Sequence, residues 1–254
     1  MQQFTFTTRD HTNTDFHLKC INHTGFFIIN NSYEEVAIPG RGCPFIRDSE
    51  SKERVEVEIY CVLDSDNLFK DCINIKTWLT QDTKDKEIYI SNMPGYYLKG
   101  FLSNKLNIEQ VMQQTGQITL KFNCQPFLYM ELGNLYIPLE CEDTITEETI
   151  LSGEAITNPG LISKPLIKIT CTGDVQFTIG DCTVKLKDTN GTYYIDSEIM
   201  EMYMYSANSN ISLQNSKMYS DFPILNTGDN IYTYTENKEL GRITSLQIMP
   251  RWRV

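Results

Sequence analysis

Residues 54–63, Arg54-Val55-Glu56-Val57-Glu58-Ile59-Tyr60-Cys61-Val62-Leu63, place Val55, Val57, Ile59, Cys61 and Leu63 on one side and Glu56, Glu58 and Tyr60 on the other. A period of two belongs to a strand with one face on a core and one in water. The alternation returns at Ile118, Leu120, Phe122 and Cys124, at Ile167, Ile169 and Cys171, at Val175, Phe177 and Ile179, and at Cys182, Val184 and Leu186. Half-buried strands of this kind make antiparallel sheets. The chain therefore reads as mainly β, built from two antiparallel sandwich-like domains.

Working outward, Gly180-Asp181 alone separates two of these runs and predicts a tight hairpin, whose primed turn needs the positive φ that glycine supplies. Asn190-Gly191 carries a second turn signal. One helix is expected, over residues 66–79, with Leu68, Cys72, Ile75 and Leu79 on its inner row, Phe69 and Ile73 on a second apolar row, and Ser65 or Asp64 as cap. Residues 108–114 fit a short helix or a strand end, and we read them as strand.

Pro126 stops a strand, and residues 130–165 are rich in loop formers, including Pro138, Gly153, Pro159, Gly160 and Pro165. This suggests domains at 1–127 and 128–243. The 254-residue chain has a net charge of −11. Its acid is concentrated in residues 128–240, while 241–254 carry only Arg242, Arg251 and Arg253. Residues 244–254 are expected to fold back onto the first domain, and counted with the +3 of the whole segment 241–254 that domain is left with no net charge and can associate with copies of itself. The acidic balance argues against specific nucleic-acid binding and against anionic membranes. No apolar run is long enough to span a bilayer, and the first residues lack a basic-then-apolar leader, so synthesis in a cytoplasm is expected. The eight cysteines form no CxxC and read as reduced, buried small hydrophobes.

Catalytic signatures are scarce. GxSxG, P-loop, GxGxxG and HExxH motifs are absent. His11, His17 and His23 are spaced by six, a poor pattern for a compact metal site, and neither metal nor cofactor is expected. Asp196 and Glu198 are the best carboxylate pair for glycoside chemistry, although a solvated strand face is the expected role. Trp78 and Trp252 are the only tryptophans, so a sugar-binding face in residues 128–243 would have to use Tyr193, Tyr194, Tyr203 or Tyr205, residues that more commonly pack on a sheet.

Several short motifs, taken in order, resemble the distal tail protein (baseplate hub) family of long-tailed siphophages of Gram-positive bacteria. In the first half these are Val36-Ala37-Ile38-Pro39-Gly40-Arg41-Gly42, Thr77-Trp78-Leu79, Met93-Pro94-Gly95-Tyr96-Tyr97 and Phe122-Asn123-Cys124-Gln125-Pro126-Phe127-Leu128-Tyr129. In the second half they are Asn158-Pro159-Gly160, Ser163-Lys164-Pro165-Leu166-Ile167, Tyr194-Ile195-Asp196-Ser197-Glu198, Phe222-Pro223-Ile224-Leu225 with Gly228-Asp229-Asn230, and Pro250-Arg251-Trp252-Arg253.

The resemblance implies a ring-forming N-terminal domain with the single helix, onto which the closing segment returns, and a peripheral galectin-like sandwich. It implies a non-enzymatic hexameric ring, single or stacked as two, that joins the tail tube protein to the tail-tip protein. Such a ring is a hub for receptor-binding proteins, sits in the virion tail and passes DNA through its lumen. Within that frame Pro39, Gly40 and Arg41 form an assembly turn, and Trp78, Pro250, Arg251, Trp252 and Arg253 close the first domain, with the Trp252 ring buried and its flanking arginines turned away. The alternative is an adhesin that contacts host glycans through the C-terminal sandwich.

Overall fold

A computed structural model of the chain describes residues 4–24, 31–40, 42–81, 84–105, 109–112, 115–141, 149–206, 208–234 and 241–254, with backbone only for 31–34, 46–51 and 109–112. The chain divides into two compact units, Met1–Leu128 and Tyr129–Val254.

The first unit contains β1 (Phe6–Thr8), β2 (His11–Thr12), β3 (Leu18–His23), β4 (Asn31–Val36), β5 (Phe45–Lys52), β6 (Val55–Asp64), α1 (Leu68–Leu79), β7 (Lys86–Ile90), β8 (Tyr96–Leu102), β9 (Glu109–Met112) and β10 (Thr115–Cys124). Its antiparallel sheet runs β2-β1-β7-β8-β10-β6-β3, with β9 also on β10. A bridge between Phe4 and Cys20 joins the segment before β1 to β3, so the pairing closes on itself around the core. The alternation of residues 54–63 is realised directly: Val57, Ile59, Cys61 and Leu63 are buried, and Ile118, Leu120, Phe122 and Cys124 on β10 join them. The strand expected within 108–114 is present as β9.

The helix starts later than expected and has a different cap. Asn67 caps it by accepting from the Lys70 N–H (3.1 Å), and Ser65 Oγ accepts from Asn67 N–H (3.0 Å). Ile75, Trp78 and Leu79 enter the core, flanked by Leu68 and Cys72. The second apolar row faces outward, with Phe69 77% and Ile73 48% exposed. Strands β4 and β5 form a two-stranded ribbon of their own.

The second unit contains β11 (Tyr129–Met130), β12 (Ile137–Leu139), β13 (Ala155–Asn158), β14 (Leu166–Ile179), β15 (Cys182–Asp196), β16 (Glu201–Tyr205), β17 (Ile211–Leu213), β18 (Gly228–Tyr234) and β19 (Gly241–Met249). One layer runs β12-β19-β14-β15-β16-β17, while β13 and β18 join the far end of β14. The long β14–β15 hairpin thus serves both layers, and its register shifts between Gly173 and Val175 where it passes from one to the other. Both layers share one core that includes Ile167, Ile169, Phe177, Ile195, Tyr232 and Leu246.

The Gly180-Asp181 turn is present, with Gly180 at φ 55° and Asp181 not in the left-handed region. Asn190-Gly191 is not a turn. Both residues lie inside β15, opposite Thr172 and Cys171, because each flank pairs with β14 rather than with the other. The closing segment is a further correction. Residues 241–249 form β19, paired with β12 and β14, so the end of the chain belongs to the second unit and not the first. The charges divide accordingly, −3 in residues 1–128 (13 basic, 16 acidic) and −8 in residues 129–254 (9 basic, 17 acidic). The first domain is therefore not neutralised by the closing arginines.

Candidate functional site

The residues singled out from the sequence separate into two places. Trp78 is in the first unit, stacked on Phe16 (centroids 4.6 Å apart) and Phe6 (5.4 Å), with its indole N–H donating to Thr8 O at 2.9 Å. Pro250, Arg251, Trp252 and Arg253 are in the second unit. The residues expected to close the first domain are thus divided between the units, Trp78 packed inside the first and the closing segment held inside the second.

The closing segment is threaded through the second-half motifs. Arg251 N–H donates to Gly133 O (2.8 Å), Met130 N–H to Trp252 O (2.9 Å) and Leu161 N–H to Arg253 O (2.7 Å). Ser163 Oγ donates to Pro250 O (2.9 Å), and Arg253 Nε to Ile162 O (2.9 Å). Gly133 and Gly160 permit this approach, since a Cβ on Gly133 would stand 2.5 Å from Trp252 N and one on Gly160 2.2 Å from Arg253 O. Asn158 completes the frame by donating to Leu161 O and Leu225 O and accepting from Gly160 N–H. Motifs far apart in the chain thus converge on one lock. The first-half motifs lie on the ribbon turn, the helix end, the β7–β8 turn and the end of β10, and the last three send Trp78, Met93, Phe122 and Leu128 to the first core.

At the centre of the lock Arg251 forks onto Asp196, with Nη1 2.6 Å from Oδ1 and Nη2 2.9 Å from Oδ2. Both side chains are largely buried, and Nη1 also lies 3.4 Å from Glu198. Burial alone would raise the Asp196 carboxyl, but the Arg251 fork and the Glu198 N–H overrule it and hold it below the usual carboxylate range. Asp196 is thus a buried, paired anion and not part of a solvated face, while Glu198 lies beyond the strand end and is exposed. Forked onto the guanidinium and held ionised, the Asp196 carboxyl is not tuned as the proton donor that a glycosidase pair requires. The Trp252 indole N–H is buried without an acceptor among the described residues. The arginines beside it are bound to Asp196, in a largely buried pair, and to Ile162 O, in an exposed contact.

The tyrosines pack on the sheet. Tyr193 is buried at 2% exposure. Tyr194 and Tyr203, opposite each other on β15 and β16, stack at 5.5 Å, and Tyr205 meets both edge-on. In the stacked pair each ring gives one face to the other, and Tyr205 is exposed beside them.

The histidines take separate partners: His11 Nδ1 lies 3.7 Å from Asp15, His17 Nδ1 2.9 Å from Asp71, and His23 Nδ1 2.9 Å from Thr24 O. Among the described residues no group of three or more His, Cys, Asp or Glu is placed to hold a metal ion, and no helix is long and apolar enough to cross a membrane. Five of the eight cysteines, all unbridged, are buried, Cys72 and Cys182 are half-buried, and Cys43 is exposed, against the expectation for that residue.

Pro39 and Gly40 of the turn expected to serve assembly lie beyond the end of β4 in the β4–β5 ribbon. Pro39 and Gly40 are exposed there, and Arg41 lies outside the described residues. Val36 pairs with Phe45 at the ribbon's end, and Val36, Ile38 and Phe45 are 38%, 45% and 47% exposed. A two-stranded ribbon is marginal alone in water, and one that exposes an apolar end is suited to packing against another surface. Sequence reasoning missed the exposed ribbon end and also Tyr219, 58% exposed in the second unit, which no local pattern distinguishes.

No protein-family model matches the chain, and no curated protein does. Among solved structures, the chain superposes on the Dit hub adsorption protein of phage SPP1 with a TM-score of 0.66 at 16% identity, covering 97% of both chains. It superposes on a chain of the phage p2 baseplate in its activated conformation with a TM-score of 0.56 at 9% identity, again covering 97% of both. At these identities the likeness is one of fold, and it runs from end to end: the two-unit β architecture is that of phage hub and baseplate proteins.

Proposed function

We propose that this chain is a non-catalytic distal tail protein that assembles as a hexameric ring. In this reading the ring links the tail tube to the tail-tip protein in the virion, serves as a hub for adsorption proteins and lets DNA pass through its lumen. The observation that carries the reading is the superposition on the SPP1 hub protein over 97% of both chains, which takes in both units and not one common sandwich. The ribbon end supports it, because Val36, Ile38 and Phe45 present apolar surface that a neighbouring subunit or tail partner would cover.

Six copies would carry −66, with −48 on the second units. Like charge disfavours both close approach of those units and capture of DNA by the walls, and screening beyond about 8 Å near physiological salt relieves the first. Assembly should therefore strengthen as salt is raised. Light scattering across a salt series, with negative-stain images of the same fractions, tests this. A species of six times 29.3 kDa, or twice that, with a central hole is expected. A 29.3 kDa monomer at every salt, unchanged by added tube and tip proteins, would overturn the ring.

A further inference from the structure

Cys20 on β3 and Cys61 on β6 stand directly opposite each other in the antiparallel ladder of the first unit, and their Sγ atoms are 3.4 Å apart. Both belong to the first core, where Cys20 is fully buried and Cys61 nearly so. The ladder fixes the type of pair. Asp64 N–H donates to His17 O (3.3 Å), which makes His17 and Asp64 a hydrogen-bonded pair, and the alternation that follows makes Leu18–Leu63 and Cys20–Cys61 non-hydrogen-bonded pairs. Opposed residues of that type have Cα atoms about 4.5 Å apart, inside the range of about 4.4–6.8 Å that disulfides bridge. Bringing the two sulfurs to a bond of about 2.05 Å then asks for side-chain rotation and not for a change of register. The contrast with other strand cysteines is plain: Cys124 faces Val55 and Gly100, Cys171 faces Gly191, and Cys182 faces Ile179.

We infer that Cys20 and Cys61 are an oxidation site, at which an oxidant of the peroxide class joins them as a cross-strand disulfide that staples β3 to β6. The step balances with hydrogen peroxide. The Cys20 thiolate attacks one peroxide oxygen, the O–O bond breaks, and the hydroxide released takes up the proton that Cys20 has shed, leaving a sulfenic acid and one water. The Cys61 sulfur then attacks Cys20 Sγ, the S–O bond breaks, and the departing hydroxide leaves as a second water with the Cys61 proton. The two sulfurs lose two electrons and the peroxide gains them. Cys20 is the entry point, because the register shifts between it and Asn22 and the interrupted ladder lets peroxide in by local opening rather than by unfolding. Cys61 is the resolving partner: its contact with Cys20 and its burial push its thiol well above the ordinary range and keep it protonated. The bond ties residues 41 positions apart, so it restrains the unfolded chain and stabilises the first unit. This is a property of the first unit alone, and it stands whether or not the chain forms rings.

The test uses the full chain carrying Cys43→Ser, so that the exposed thiol cannot link two molecules. After hydrogen peroxide and then catalase, the protein is unfolded, alkylated with iodoacetamide, digested without reductant and mapped by mass spectrometry. A linked Cys20–Cys61 peptide pair is expected, with Cys124, Cys141 and Cys171 alkylated. Proton–nitrogen correlation spectra of the oxidised chain should keep the dispersed signals of the first unit, and on heating those signals should persist about 10 °C higher than in the reduced chain, a gain that dithiothreitol reverses. Cys61→Ala should give neither the linked pair nor the gain. If Cys61→Ala fails to fold, the peptide map and the dithiothreitol reversal in the parent decide. Free Cys20 and Cys61 after peroxide, a disulfide mapped to a different pair, a bond that forms only with loss of the first unit's signals, an unchanged melting temperature, or a gain that survives Cys61→Ala overturns the proposal.

Discussion

Arg251 sits at φ 53°, a left-handed backbone that a residue with a Cβ adopts at a cost, and its contacts hold it there. Its N–H reaches Gly133 O while its guanidinium forks onto Asp196. Asp196→Asn should cost about 3–5 kcal/mol, because it strands a buried guanidinium, and urea denaturation would read the loss. The pH dependence follows from the sign of the shift. The carboxyl is lowered in the folded chain, so its contribution is complete above the unfolded value of about 3.9 and is lost as the pH falls through the lower folded value. Acid titration should show this loss below about pH 4 in the parent chain, and that part of it should be absent from Asp196→Asn. Gly133→Ala tests the neighbouring contact. A methyl 2.5 Å from the Trp252 backbone has no flexible side chain to displace, so a cost of about 2–3 kcal/mol is expected by the same assay.

At the scale of elements, α1 shows how an apolar residue's place in a helix differs from its fate. Leu68, Cys72, Ile75 and Leu79 recur at helical spacing and do face the core. Phe69 and Ile73 recur as regularly and face outward, since the closed sheet meets only one side of the helix. Phe69→Ser with Ile73→Ser should therefore leave thermal stability within about 0.5 kcal/mol, whereas Ile75→Ala should cost about 2–5 kcal/mol. The ribbon gives the complementary prediction. Val36→Ser with Phe45→Ser removes exposed apolar surface, so the melting temperature of the monomer should hold while the ring fraction in light scattering falls. A ring fraction unchanged by this pair would exclude the ribbon end from assembly. Asn190-Gly191 belongs to the same scale, because a turn dipeptide makes a hairpin only when its flanks pair with each other, and here both pair with β14.

For the whole molecule, the decisive fact is where the chain ends. Deleting residues 245–254 removes Leu246 and Ile248 from the second core, uncovers β14 and abolishes the Arg251 fork. Proton–nitrogen correlation spectra of the truncated chain should lose the dispersed signals of the second unit and keep those of the first. Loss of the first unit's signals instead would contradict the assignment of the segment. The mainly β class, the face chosen by each strand, the inner row of α1 and the Gly180 hairpin were all legible in the sequence, because each is fixed by side-chain periodicity over a few neighbours or by one residue's φ. The destination of residues 244–254 was not. Net charge gave no geometry, and the partners that decide it, Gly133, Gly160, Ser163 and Asp196, lie between about 55 and 120 positions away, where only the folded sheet brings them to Arg251 and its neighbours. Burial of Asp196 and exposure of Phe69 share that cause: each depends on what packs opposite, which no local pattern records.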